Sequence, residues 1–189
     1  MAEKQLSGIK VAVLAVDGVE QVELLEPKKA LEEAGAEVLV LSAKAGKIQG
    51  FKHHDKADKI QVDLAWDKAN PDEFDAVLLP GGALNADAIR IETQAQEFVR
   101  RIDQAGKPIA VICHGPWLLV CAGLTRGRRL TSWPTVQDDI RNSGGIWEDR
   151  EVLRDKNWVS SRKPDDIPAF NREMIRLLAE GKEKGRKVA

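Results

Sequence analysis

The amino-acid sequence predicts an α/β fold with a doubly wound, mostly parallel sheet and helices on both of its faces. Residues 9–16 form a nearly continuous apolar run, which is typical of a strand buried on both faces of a parallel sheet. Apolar residues then recur at roughly helical spacing from Val22 to Ala34, and Gly35 ends this predicted helix. A second strand over residues 36–42 completes a βαβ unit, which implies a right-handed crossover.

The rest of the chain continues this alternation within one predicted domain over residues 1–189. Residues 1–8 and the charged segment 181–189 are predicted to be flexible ends. Residues 46–64 interleave glycine, lysine, histidine and aspartate, and are predicted as an irregular hairpin or excursion. The other predicted elements are core strands over 75–79 and 107–112, helices over 87–91, 93–105, 117–122 and 136–142, short strands near 130–131, 147–148 and 158–160, and an amphipathic helix over 166–180.

The composition argues against several classes of function. Lysine and arginine number 29 and aspartate and glutamate 30, so the formal net charge is −1 and no broad basic surface is offered to nucleic acid or anionic lipid. The first ten residues hold no apolar signal-peptide core, and no apolar run approaches the roughly 18 residues of a membrane span. We therefore expect a cytoplasmic protein without nucleic-acid or membrane partners.

The two cysteines, Cys113 and Cys121, are predicted to be free thiols. If the segment between them is helical, their Cα atoms lie roughly 12 Å apart, whereas a disulfide needs less than about 7 Å. Cys121 lies in an apolar helical run and is interpreted as a packing residue.

Cys113 is the strongest candidate for a reactive residue. It lies between a buried strand and a predicted helix, which is the setting of a nucleophile elbow, and the amides at a helix N-terminus favour thiolate over thiol. Gly115 permits close approach of the backbone, and Pro116 suits a first helical position. His114 is a candidate general base or a positive partner of the thiol. The alternatives are a cysteine that only packs and a histidine that only satisfies the helix start.

The backbone after Pro80 is a second candidate, because strand ends at one edge of a parallel sheet meet at the ligand site. Gly81 and Gly82 follow this strand, and their amides, with that of His114, are candidates for an oxyanion hole. A phosphate-binding loop is disfavoured because neither the Walker pattern nor G-x-G-x-x-G is present.

Glu20 and Glu23 lie three residues apart, on one face at the start of the first helix. Acidic residues are common there because of the helix dipole. A carboxyl turned inward against Cys113, however, would have its pKa raised by desolvation and would then donate a hydrogen bond to the thiolate. His53 and His54 lack the spacing of a zinc site, so no metal site is expected there.

Three stretches carry a resemblance to the intracellular protease PfpI family, within the superfamily of the Parkinson-disease-associated deglycase and class I glutamine amidotransferases. The resemblance extends over about residues 9–178. The stretches are Asp75-Ala-Val-Leu-Leu-Pro-Gly-Gly82, Ala110-Val-Ile-Cys-His-Gly-Pro116 and Asn157-Trp-Val-Ser-Ser-Arg162.

The resemblance implies a flavodoxin-like sandwich and a homodimer that can build into a trimer of dimers. It implies that Cys113 is the nucleophile, that His114 moves protons, and that Asp87 is the acidic residue which orients this histidine near a subunit interface. The glutamate of the first helix in the superfamily matches Glu23, and Glu20 matches a second acidic position.

The function implied by the resemblance is that of a stress-related cysteine hydrolase without a cofactor. Its substrate is either a peptide bond or an early glycation adduct of methylglyoxal or glyoxal on protein or nucleotide, and the motifs do not separate the two. The alternative is a redox-sensing, stress-protective protein in which Cys113 is oxidised to sulfenic or sulfinic acid.

Overall fold

The strands come from short apolar runs along most of the chain. The structure, a computed structural model, describes the main chain of residues 4–188 and the side chains of residues 4–183. The strands are β1 (Lys10–Leu14), β2 (Val19–Glu20), β3 (Glu37–Ser42), β4 (Gly46–Lys52), β5 (Asp55–Val62), β6 (Leu64–Ala65), β7 (Ala76–Leu79), β8 (Ile109–Ile112), β9 (Arg129–Leu130), β10 (Ile146–Trp147), β11 (Val152–Asp155) and β12 (Trp158–Ser161).

The helices alternate with these strands. Three of the six in the described residues follow a strand of the central sheet, and the longer helices carry one apolar face. They are α1 (Gln21–Glu33), α2 (Ala83–Ile89), α3 (Thr93–Gln104), α4 (Pro116–Cys121), α5 (Gln137–Asn142) and α6 (Ile167–Val188), with short 3-10 turns at Trp66–Lys68, Pro71–Glu73, Pro134–Val136 and Pro164–Asp166.

The central sheet has seven strands in the order β11-β12-β8-β7-β1-β3-β6. Every neighbouring pair in it is parallel except β11 and β12, which are antiparallel. The inner order β3-β1-β7-β8-β12 is the 2-1-3-4-5 order of a flavodoxin-like fold. The predicted fold class is therefore confirmed.

Apolar side chains cover both faces of this sheet, because successive residues of a buried strand point to opposite sides. On one face, Val11 and Val13 pack in the same core as Phe170 of α6. On the other face, Ala12 packs in the same core as Phe98 of α3. The helices thus lie on both faces, as predicted.

The strand order brings three loops to one edge. β1, β7 and β8 are adjacent and parallel, so the segments that follow Leu14, Leu79 and Ile112 leave the sheet side by side. From β1 the chain goes first to β3 on one side, and later to β7 on the other. The carboxyl ends of β1 and β7 therefore flank a switch point, which is where open α/β sheets bind ligands.

Several local predictions differ from the structure. Residues 46–62 form an antiparallel hairpin of β4 and β5 with one irregularity between Gln49 and Phe51, so the predicted hairpin is present and the alternative of an excursion is wrong. Helix α2 begins at Ala83, four residues before the predicted start, because Gly82 adopts a positive φ of 88° and turns the chain directly into the helix. Strand β11 was not predicted, since only one of its four residues is buried.

The structure describes part of the two ends that are predicted to be flexible. Leu6 is fully buried and its amide donates to the carbonyl of Ala34, so the segment before β1 is tied to α1. Helix α6 continues to Val188, beyond its predicted end at residue 180. Residues 1–3 and 189, which also belong to the predicted ends, lie outside the described residues.

Candidate active site

Cys113 follows β8 directly and has a φ of 61°, a left-handed conformation that costs a residue other than glycine about 1–3 kcal/mol. Main-chain hydrogen bonds hold this conformation. The Cys113 amide donates to the carbonyl of Ser161, and the Cys113 carbonyl accepts from the amide of Trp133. Helix α4 begins three residues later, at Pro116. This is the strained strand–turn–helix bend that the sequence indicates.

Gly115 makes this bend possible. A Cβ atom on Gly115 would lie 2.6 Å from the carbonyl oxygen of Leu79, so no larger residue fits against the end of β7. The Gly115 amide donates to the carbonyl of Ile112. This amide is therefore engaged in the turn and is not free to bind substrate.

His114 lies beside the thiol, with its Nδ1 atom 3.2 Å from Cys113 Sγ. The imidazole ring packs against the edge of Trp117 and is stacked on Trp133, at centroid distances of 5.4 and 6.0 Å. Burial lowers the pKa of His114 from its usual 6.5, because it disfavours the charged ring. His114 is thus neutral at neutral pH, and in the tautomer protonated at Nε2 its Nδ1 can accept the thiol proton.

Glu23 is fully buried in the first turn of α1, and its Oε2 accepts a hydrogen bond of 2.9 Å from the Gly81 amide. Desolvation raises the pKa of Glu23 to about 8, against the opposing effect of its hydrogen bonds with Cys113 and Gly81. Within the described chain, Glu23 Oε1 has no well-aligned partner, and the side chains that interact with this carboxyl are the Cys113 thiol, by a hydrogen bond, and Glu20, by charge. Glu23 is therefore protonated at neutral pH and faces the thiol, as the sequence predicts.

The environment of the sulfur opposes ionisation in one way and supports it in another. Burial and the charge of an ionised Glu23 raise the pKa of Cys113 well above its usual value, whereas hydrogen bonds from the amides of Gly82 and His114 lower it. Because thiolate and carboxylate repel each other, the two groups titrate as a coupled pair. While Glu23 keeps its proton, the charge repulsion is absent, and burial is then the main effect that opposes ionisation of the thiol.

Of the two glycines after β7, Gly82 is the one whose amide donates a hydrogen bond to the sulfur of Cys113. The Gly81 amide is engaged with Glu23, so it is not free for an oxyanion, contrary to the expectation that both amides serve this purpose. Gly81 is nevertheless required there, because a Cβ atom on it would lie 2.6 Å from both Cys113 Cβ and Glu23 Oε2. The amides of Gly82 and His114 remain as the pair that the sequence indicates.

Within the described chain, neither of the other two predicted acidic residues makes a hydrogen bond to the sulfur of Cys113 or to His114. Glu20 is buried, and its Oε2 accepts from the amide of His53, which attaches the β4–β5 turn to the site. Asp87 is exposed on α2 and, within the described chain, makes no hydrogen bond to His114. A Cys-His-Asp triad is therefore not assembled inside one chain.

A cleft of about 370 Å³ opens above the sulfur. Its lining includes Cys113, His114, Trp133 and the tip residues His53 and His54 of the β4–β5 turn. In the described part of the chain, no group of three or more histidine, cysteine, aspartate or glutamate side chains is placed to hold a metal ion.

Sequence reasoning missed two residues of this site. Trp133 belongs to a loop that is held by the main-chain hydrogen bond from its amide to the carbonyl of Cys113. The hydrophobic periodicity of the sequence does not predict such a contact. Asn85 is buried under the Gly81–Gly82 backbone, and its Nδ2 donates to the carbonyl of Gly81. The available signal for Asn85 was a polar residue three positions after the glycine pair, in an otherwise apolar helix start.

Fold and site together define an α/β protein with a cysteine nucleophile elbow at the switch point of its sheet. The model of the DJ-1/PfpI family matches residues 9–177, and the chain belongs to this family. The resemblance found in the sequence is thereby confirmed.

Relatives match over nearly their whole lengths. The chain is 48% identical over 170 residues to a deglycase of Pyrococcus abyssi, which covers 90% of this chain and 99% of the relative. It is 38% identical over 172 residues to general stress protein 18 of Bacillus subtilis, covering 90% of this chain and 98% of the relative. The crystal structure of Drosophila melanogaster DJ-1beta superposes with a TM-score of 0.83 at 28% identity, covering 96% of this chain and 95% of that one.

Proposed function

We propose that this protein is a cysteine-dependent hydrolase of the PfpI type that removes early glycation adducts in the cytoplasm under stress. One observation carries the proposal. The sulfur of Cys113 stands on a strained elbow, 3.2 Å from Nδ1 of a neutral His114, in a cleft to which two main-chain amides are turned. A nucleophile, a proton acceptor and an oxyanion site are the components of covalent hydrolysis.

The residues divide the chemistry as follows. The Cys113 thiol passes its proton to His114 Nδ1, and the sulfur takes the place of the amine on the carbinol carbon of a methylglyoxal adduct. The departing amine receives the proton back from His114. The carbinol carbon then gives its proton to the neighbouring ketone carbon, and the hydroxyl proton passes to the ketone oxygen, which converts the bound group to the thioester of a hydroxy acid. The Gly82 and His114 amides stabilise the negative oxygen that forms during this transfer. Water then releases a hydroxy acid and the free thiol, with no metal required.

The size of the cleft favours a small adduct over a long peptide. Its volume of about 370 Å³ is near the lower end of the range for small-molecule sites. The deglycase name of the Pyrococcus abyssi relative supports the same substrate class, and the stress-protein name of the Bacillus subtilis relative supports the stress context. No helix in the described residues is long and apolar enough to cross a membrane.

Peptide-bond cleavage is the alternative within hydrolases, because the same thiol and imidazole can attack an amide carbonyl. Redox sensing is the alternative outside them. A protonated Glu23 beside the sulfur is a hydrogen-bond donor for a sulfenic or sulfinic group, which favours oxidation at Cys113.

The test uses two substrates, one oxidant and variants of the two cysteines. Wild type, Cys113→Ala and the matched control Cys121→Ala are given a methylglyoxal-modified amine, an unfolded protein, and mild peroxide followed by mass spectrometry. We expect wild type and Cys121→Ala to release amine and hydroxy acid, and Cys113→Ala to release neither. Cleavage of the unfolded protein alone would favour the peptidase. Oxidation of Cys113 without turnover of either substrate would favour the sensor and overturn the hydrolase.

We also propose a homodimer, able to build into a trimer of dimers, in which α2 is covered by a second copy. Leu84 and Ile91, on and just beyond α2, are 60% and 74% exposed, and Asp87 lies between them in sequence. A second copy docked there would bring the Asp87 carboxylate toward the His114 of another site. Light scattering tests the assembly. A monomer at micromolar concentration with full activity would contradict the dimer. An Asp87→Asn variant with unchanged turnover would contradict the contact of Asp87 with His114 of another copy.

A further inference from the structure

Asn85 joins the ends of two neighbouring strands. It is the third residue of α2 and is 1% exposed. Its Oδ1 accepts a hydrogen bond of 2.8 Å from the amide of Val16, just beyond β1. Its Nδ2 donates to the carbonyls of Pro80 and Gly81, just beyond β7, at 3.2 and 3.0 Å. All the polar atoms of this buried side chain are therefore used on main-chain groups.

An amide side chain is required to satisfy this set of partners. Where β1 and β7 end, one N–H and two C=O groups point into the same buried space. Only asparagine and glutamine present both donors and an acceptor on one short planar group, since a carboxylate cannot donate and a hydroxyl has a single proton. Asn85 thus fixes the separation of the two strand ends and the tilt of the peptide planes after Pro80.

The same peptide planes face the reactive sulfur. The Gly81 carbonyl is held by Asn85, its amide is held by Glu23, and the following amide, of Gly82, addresses Cys113. Rotation of this backbone would move both amides together. We propose that Asn85 is a positioning residue that holds the Gly81–Gly82 backbone so that its amides meet Glu23 and the Cys113 sulfur.

This inference rests on the proposed thiolate chemistry, but it is tested without any substrate. The second-order rate of alkylation by iodoacetamide is measured from pH 5 to pH 10 for wild type, Asn85→Ala and the milder Asn85→Ser. The titratable side chains around the sulfur are Glu23 and His114 beside it and Glu20, His53 and His54 in the lining of the same cleft, and none of them is changed. The matched control is Asn157→Ala. Asn157 also bridges main-chain and side-chain groups, but at the opposite edge of the sheet.

We expect Asn85→Ala to be alkylated about tenfold more slowly at pH 7, with its rate profile shifted to higher pH. The reason is that the Gly82 amide, no longer held in place, loses its hydrogen bond to the charged Cys113 thiolate. Asn85→Ser should shift in the same direction by less, and it carries the test if the alanine variant does not fold. Asn157→Ala should lose stability in urea while keeping the wild-type profile. A folded Asn85 variant with the wild-type profile would overturn the inference. If the Asn85 variants shift as expected but the wild-type protein turns over no substrate, the proposed function is wrong and the positioning role of Asn85 stands.

Discussion

The protonated state of Glu23 leads to a definite prediction about folding stability. In the unfolded chain its carboxyl has an ordinary pKa of 4.5, whereas burial in the folded protein raises it to about 8. Between these pH values the folded protein holds a proton that the unfolded chain has released. Stability therefore falls as the pH rises through this window, and the Glu23→Gln substitution should remove that dependence.

The magnitude follows from the shift. The full difference between the two pKa values corresponds to about 5 kcal/mol, because each pKa unit is about 1.4 kcal/mol. Since neither limit is reached at pH 5 or pH 8, the change between those two conditions is about 4 kcal/mol. Glutamine keeps an oxygen that can accept from the Gly81 amide, so the variant should stay folded.

The assay is urea unfolding of wild type and Glu23→Gln at pH 5, 6, 7 and 8. The free energy of unfolding of the variant, relative to wild type, should rise by about 4 kcal/mol from pH 5 to pH 8. Glu26→Gln is the matched control, because Glu26 is exposed on the same helix. Its difference from wild type should not vary with pH.

A constant difference between wild type and Glu23→Gln across this range would refute the reasoning. It would mean that Glu23 is ionised in the folded protein at neutral pH. The carboxyl could not then donate a hydrogen bond to the Cys113 thiolate. Among the described residues, the amides of Gly82 and His114 would remain as the hydrogen-bond donors that stabilise the thiolate.

Two further substitutions test the geometry around the sulfur. Gly81→Ala should destabilise the protein by about 1–3 kcal/mol, because the new Cβ would overlap Cys113 and Glu23; urea unfolding checks this, and an unchanged midpoint would contradict it. Trp133→Leu should expose the ring that is stacked on it, so the pKa of His114 should rise toward 6.5. Proton NMR titration of the chain's three histidines resolves this shift, and an unmoved curve would show that Trp133 does not shield the imidazole.

The sequence determined much of the fold because burial leaves a local pattern. The apolar runs that became β1, β7 and β8 are buried on both faces, so they read as unbroken hydrophobic segments. Short elements at the sheet margin carry no such signal. Strand β11 pairs only with β12 at the edge of the central sheet and is mostly half-buried, and it was missed for that reason.

For the site, the sequence determined only which strand each residue follows, and so at which end of the sheet it lies. Cys113 and the glycine pair follow buried strands, so their edge of the sheet could be predicted, and Glu23 was placed near the sulfur by resemblance and helix position. The tertiary structure decided the contacts: Trp133 on His114, Asn85 between two strand ends, and the Gly81 amide on Glu23 rather than free. The physical reason is that periodicity records whether a residue is buried, whereas strand order and register decide which distant residues it is buried against.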